Sequence, residues 1–351
     1  MKIQWNEGAE MPKNIIVLSD GTGQEGGQGN NTNIYKLFNM LVDRSPEQIV
    51  FYDRGIGTGT RKILSMGTGL GFSKNVQDGY RFIFDNYQTG DQIFLLGFSR
   101  GAATVRSLSS FIHYFGILPQ SRPELISKAY NIYKIKNKAK RDNQAKAFIV
   151  KHHTMWARVK FLGCYDTVAA LGIPVPLICE LVDRIPAFRH KFHDFSLSES
   201  VEHAYQALAL DDERKEFHPV LWDTDIKSYQ TVRQVWFCGM HTDVGGGYAE
   251  QQLSDIPMSW MIKMAEKYGL KIYPDHKVEV HEDINGFMHN SRGTLFSKIY
   301  TKKQRNWDNK RTDKPVIHES VLKRTKNKSN TDDPRYTTWI TELESEIEPW
   351  N

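Results

Sequence analysis

The chain has 351 residues, 40% hydrophobic and 12% aromatic, enough to bury a sizeable core and to exclude global disorder. Forty-six Lys and Arg against 41 Asp and Glu leave a formal charge of +5, too small a surplus to argue for a nucleic-acid partner. Three cysteines (Cys164, Cys179, Cys238) are too few for a disulfide scaffold, and the longest apolar run, residues 168–179, falls short of the roughly 20 residues a bilayer span needs.

Residues 1–7 contain no apolar core of a secretory signal, so the expectation is a protein that is cytoplasmic as synthesised. Residues 14–20 are a short, continuously apolar run ending in a polar loop, the pattern of a buried parallel strand. Residues 32–42 have helical spacing with Thr32 as N-cap, and residues 48–52 predict a second strand. In residues 75–87, Val76, Tyr80, Ile83, Phe84 and Tyr87 share one helical face. A third strand is expected at 91–96, followed by a helix striped by Val105, Leu108, Ile112 and Phe115. Residues 116–156 read as a basic helical insertion, and residues 158–163 and 231–237 as strands four and five.

Between those two strands, residues 168–225 read as a helical insertion or lid. Ser196 and Glu199 have capping-box spacing, with Val201, Tyr205 and Leu208 following at helical intervals. Residues 300–351 read as a polar C-terminal extension. Within it, residues 302–328 carry ten Lys or Arg against three Asp or Glu, the mark of a solvated basic face. Strands separated by helices predict a single α/β domain over residues 1–351, a mostly parallel sheet flanked by helices, with helical insertions.

The chemistry concentrates at Gly97-Phe98-Ser99-Arg100-Gly101, a G-x-S-x-G pattern set directly between a strand and a helix. A sharp strand-to-helix turn projects the serine hydroxyl above the sheet, and glycines two positions either side leave room where a Cβ would clash. A serine hydroxyl needs a base, and the base an orienting carboxylate, with chain order Ser, acid, His on such folds. Asp166 and His241 lie at the ends of the fourth and fifth predicted strands, the edge where Ser99 sits. Asp243, two residues past His241, is the competing acid or a brace for the loop. His152, His153, His193, His203 and His218 follow no predicted strand.

Gly21-Thr22-Gly23-Gln24-Glu25-Gly26 matches a dinucleotide-binding pattern, but Asp20 and Glu25 oppose a pyrophosphate and no helix begins there. The loop reads instead as an oxyanion loop, whose Gly21 and Thr22 N–H groups would join that of Arg100, with Asp20 in support. No cofactor and no metal are expected.

With these residues in view, the sequence resembles an α/β-hydrolase family of unknown function that includes the first family of type VI secretion lipase effectors. The resemblance rests on Ser19-Asp-Gly-Thr22, Tyr52-Asp-Arg-Gly-Ile-Gly-Thr58, Gly97-Phe-Ser-Arg-Gly-Ala-Ala103, Tyr165-Asp-Thr-Val168, Ala207-Leu-Ala-Leu-Asp-Asp-Glu-Arg214 and His241-Thr-Asp-Val-Gly-Gly-Gly-Tyr248. It implies a Ser99–Asp166–His241 ester hydrolase of the phospholipase or lipase type, with a lipid or acyl-ester substrate and contact with a membrane surface. It also implies export by a signal-independent secretion system and, for an effector, a cognate immunity protein.

Residues 168–188, with Leu171, Ile173 and Leu177, fit either a lipid-facing rim or a helix packed in the core. Two other classes fit parts of the sequence. One is a metal-dependent phosphohydrolase gathering Asp20, Asp166, His241 and Asp243 around a cation. The other is a non-enzymatic interaction protein that uses the basic face at 302–328.

Overall fold

The computed structural model describes residues 11–21, 26–27, 29–55, 70–168, 196–223, 225–274, 280–293, 296–307, 311–326 and 345–350. The predicted rim residues Leu171, Ile173 and Leu177, and Thr22 of the glycine loop, lie outside the described residues.

Eight described strands form one parallel sheet: β1 (Asn14–Ser19), β2 (Gln48–Asp53), β3 (Gln92–Phe98), β4 (Val159–Tyr165), β5 (Val201–Ala209), β6 (Thr231–Phe237), β7 (Val316–His318) and β8 (Glu346–Glu348). Their spatial order is β2-β1-β3-β4-β5-β6-β7-β8. The strand order switches direction across the sheet between β1 and β3, the place where the loops leaving the strands bind ligands in open α/β sheets.

Both faces are covered, which is why the inner strands read as unbroken apolar runs. Along β1 the side chains alternate. Ile16 and Leu18 pack with α1 (Asn33–Met40) and α7 (Gln252–Glu266), while Ile15 and Val17 join α2 (Leu70–Asn86), α3 (Arg100–Phe115), α4 (Leu125–Tyr133) and α5 (Lys138–His152). Val105, Leu108, Ile112 and Phe115 are all buried, as their spacing on the helix predicts. Thr32 caps α1 by accepting a hydrogen bond from Tyr35 N–H. A short helix, α6 (His241–Gly245), follows β6, and α8 (Glu319–Lys326) follows β7. Among the described residues, no helix is long and apolar enough to cross a membrane.

Two sequence readings need correction. Val201, Tyr205 and Leu208 are not helical: they belong to β5, paired on both sides by β4 and β6, so residues 168–225 are not a purely helical insertion or lid. A strand buried on both faces lacks the alternation of a half-exposed one, and a run of apolar residues broken by Glu202, His203 and Gln206 then mimics helical spacing. Consequently the strand over 231–237 is the sixth.

The basic insertion at 116–156 contains two helices, α4 and α5, separated at 134–137, where Asn137 caps the second. The second correction concerns residues 300–351, which are more than a polar extension. They supply β7 and β8 at one edge of the sheet, and their basic stretch contains Arg305 and Arg324, both buried.

Candidate active site

Ser99 occupies the turn between β3 and α3 at φ 57°, ψ −117°, a backbone conformation rarely adopted by a residue with a side chain. Its N–H donates to Tyr165 O at 3.0 Å, tying the turn to β4. The flanking glycines are sterically required. A Cβ on Gly101 would stand 2.0 Å from Ser19 O, and one on Gly97 2.5 Å from the Gly101 carbonyl. Gly245 has a similar role: its Cβ would meet the Phe98 ring at 2.0 Å, the ring that packs 4.7 Å from the His241 imidazole.

Ser99, His241 and Asp166 form a continuous hydrogen-bonded line. His241 Nε2 lies 2.8 Å from Ser99 Oγ, and His241 Nδ1 lies 2.6 Å from Asp166 Oδ2. An ionised carboxylate only accepts, so Nδ1 carries the proton, and Nε2 is left to accept from the serine hydroxyl. Asp166 also sits at positive φ (41°), its N–H donating to Ala207 O at 2.8 Å. The imidazole is held between Phe98 and Phe217, the latter edge-on at 5.2 Å.

Two residues that sequence reasoning did not find complete this arrangement. Arg305, only 1% exposed, forks onto Asp166 with Nη1–Oδ1 at 2.7 Å and Nη2–Oδ2 at 2.9 Å. It also donates to the carbonyls of Ala209 and Phe217. Burial alone would push the Asp166 carboxyl up, but the Arg305 guanidinium, with hydrogen bonds from His241 and Arg305, holds it well below the usual carboxylate range. The second residue is Asp212, which accepts His241 N–H at 3.2 Å and is itself clamped by Arg214 at 3.0 and 2.6 Å. Here too burial raises the carboxyl and the two arginines more than offset it, leaving it lowered.

The competing acid is engaged elsewhere. Asp243 accepts from His289 Nδ1 at 2.6 Å and from the N–H groups of His289 and Met240 at 3.1 and 3.0 Å. It thus braces the loop entering α6 against residues 280–293. His289 in turn stacks on Tyr248 at 3.6 Å.

Asp20 is buried at the end of β1, where it accepts from Gly21 N–H (2.6 Å), Thr32 Oγ1 (2.7 Å) and Tyr52 OH (2.7 Å). The Gly21 N–H expected to face an oxyanion is therefore directed at Asp20. Gly21 nonetheless lies against the site, since its Cβ would be 3.7 Å from Ser99 Cβ. The Arg100 N–H is the first amide of α3, without an intrahelical acceptor. No group of three or more His, Cys, Asp or Glu positioned to hold a metal occurs among the described residues. Asp20, Asp166 and Asp243 each spend their carboxylates on separate protein partners.

Burial drives the Asp20 carboxyl up to about 6, against the opposing pull of its hydrogen bonds from Thr32 and Tyr52. A carboxyl raised on folding contributes stability that is fully present below its unfolded pKa, about 4, and is lost as pH rises through the folded value. Wild-type stability measured against Asp20→Asn is therefore expected to fall by on the order of 2 kcal/mol between pH about 4 and about 7. Urea denaturation of both proteins across that range checks it, and a difference independent of pH would remove the linkage.

The fold and the serine elbow define an α/β-hydrolase-like protein. A family model described as "T6SS, Phospholipase effector Tle1-like, catalytic domain" matches residues 13–264, and the chain belongs to that family. The Saccharomyces cerevisiae "Uncharacterized protein YEL023C" is 26% identical over 275 residues, 70% of this chain. The match spans 37% of the yeast protein's length. Among solved structures, an uncharacterized protein from Pseudomonas aeruginosa aligns with a TM-score of 0.44 and 14% identity over 79% of this chain and 50% of that one. The Tle1 effector bound to the VgrG spike of the Type 6 secretion system aligns with a TM-score of 0.37 and 20% identity, over 69% of this chain and 52% of that one.

Proposed function

We propose that the chain hydrolyses carboxylic esters of lipids through an acyl-enzyme, with Ser99 as nucleophile, His241 as base and then acid, and Asp166 orienting the imidazole. The observation that carries this reading is the hydrogen-bonded line from Ser99 through His241 to a buried, ionised Asp166 at the carboxyl ends of β3, β6 and β4. His241 Nε2 takes the hydroxyl proton as Ser99 Oγ attacks the ester carbonyl. The tetrahedral oxyanion rests on the leading amides of α3, Arg100 N–H among them. His241 then returns the proton to the departing alkoxide, and water repeats the cycle to release the fatty acid.

Membership in the Tle1-like phospholipase effector family supports a phospholipid as the lipid. The same membership supports delivery by a secretion system, with the substrate in a target membrane. The test is fatty-acid release from phosphatidylethanolamine and phosphatidylglycerol vesicles, beside a short-chain ester and a fluorophosphonate probe. The expected result is lipid cleavage that survives metal chelation, with the probe attached to Ser99. Turnover of the short ester alone would discard the membrane substrate, and neither turnover nor labelling would discard the hydrolase.

A further inference from the structure

The side chain of Arg100 has no role in the line of Ser99, His241 and Asp166, yet it projects from the residue next to the nucleophile. Its Nη1 is buried and has no hydrogen-bond partner. Each neighbouring arginine on this side of the site has its charge or donors engaged. Arg305 is spent on Asp166 and Arg214 on Asp212. Arg292 donates to Tyr300 O at 2.6 Å, a carbonyl that carries no countercharge.

Burial pushes the Arg100 guanidinium down to about 10, and the main influence opposing that shift is the phenol of Tyr300. Tyr300 packs edge-on against Phe217 at 5.4 Å, and Phe217 packs against His241 at 5.2 Å. A cation desolvated without an anion is costly, and the fork of a guanidinium matches two oxygens of a phosphate.

We infer that the Arg100 side chain, on the residue next to Ser99 and with its Nη1 unpartnered, is the subsite for the phosphodiester of a phospholipid headgroup, held next to the ester that Ser99 attacks. This rests on the ester-hydrolase reading for its substrate class. It adds what that reading leaves open, a means of preferring phospholipids to neutral glycerides. One residue then serves twice: its N–H faces the oxyanion and its side chain takes the headgroup charge.

The experiment separates binding from turnover. Monomeric dihexanoylphosphatidylglycerol is titrated by phosphorus NMR into the Ser99→Ala protein, and into the same protein carrying Arg100→Gln or Arg100→Lys. Dihexanoylglycerol and inorganic phosphate are titrated in parallel by calorimetry.

Arg100→Gln is expected to weaken phosphatidylglycerol about tenfold or more, the worth of one charge-assisted contact, with Arg100→Lys recovering part of the loss. An unchanged affinity overturns the inference. So does an equal loss for dihexanoylglycerol, which would mark a structural role. Inorganic phosphate binding as tightly as the lipid, and with the same dependence on Arg100, would overturn the headgroup in favour of a free anion. Wild-type protein that binds the phospholipid through Arg100 but releases no hexanoate would refute the hydrolase reading and leave the subsite standing.

Discussion

Asp166→Asn is expected to lower kcat for ester hydrolysis by about four orders of magnitude, and Ser99→Ala by at least as much, whereas Asp243→Asn is expected to lower it less than tenfold. The first effect follows from proton placement. An asparagine at 166 presents either an amide donor or a weaker acceptor to His241 Nδ1, now 2.6 Å from Asp166 Oδ2, and the imidazole turns to the tautomer whose Nε2 carries the proton. In that state Nε2 has no lone pair for the Ser99 hydroxyl 2.8 Å away. Asp243 makes its side-chain contact with His289 instead, so its loss loosens a loop without touching a proton in transit. Steady-state kinetics on a soluble ester, with circular dichroism as the check on folding, decides the matter. If Asp243→Asn proves as damaging as Asp166→Asn, the assignment of the acid fails.

Replacing Arg305 by leucine is expected to destabilise the protein by about 3–5 kcal/mol, the cost of leaving a buried carboxylate without its cation. Asp166 is fully buried and Arg305 nearly so, and the guanidinium also satisfies the carbonyls of Ala209 and Phe217, which leucine would orphan. Arg305→Lys recovers only part, because an ammonium cannot fork across both carboxylate oxygens.

The pH dependence provides a second readout. Asp166 is held well below the usual carboxylate range, so its contribution is present above the unfolded value of about 4 and is lost as pH falls toward the depressed folded value. Without Arg305 the folded carboxyl moves back up, and the loss of stability on acidification below pH about 4 becomes shallower. Urea denaturation at neutral and acid pH measures both quantities. A change under about 1 kcal/mol at neutral pH would show that Arg305 is a bystander.

His289 and Asp243 form a second histidine–carboxylate pair with the same 2.6 Å contact as His241 and Asp166. What separates the two pairs chemically is the neighbour of each carboxylate. Asp166 faces a buried arginine and is lowered, whereas burial leaves Asp243 raised. Only the first therefore offers a carboxylate held firmly ionised beneath its imidazole.

The sequence by itself determined the parts of the protein that are local. A strand, a tight turn and a helix occupy consecutive residues, so the elbow at Ser99, and Asp166 and His241 at the ends of strands β4 and β6, could be read from apolar runs, glycine spacing and chain order. Strand β5 escaped that reading because burial on both faces removes the alternation by which a strand is recognised.

The tertiary structure alone decided which charge meets which. Arg305 lies 139 residues from Asp166 in a stretch that reads as a solvated basic face, and Asp212 lies 29 residues from the histidine it anchors. Ion pairs carry no periodicity, and a lysine- and arginine-rich segment looks the same whether one of its side chains enters the core or none does. Packing brought Arg305 to the end of β5, where a buried carboxylate needs a cation and two carbonyls need donors, and buried Arg324 as well.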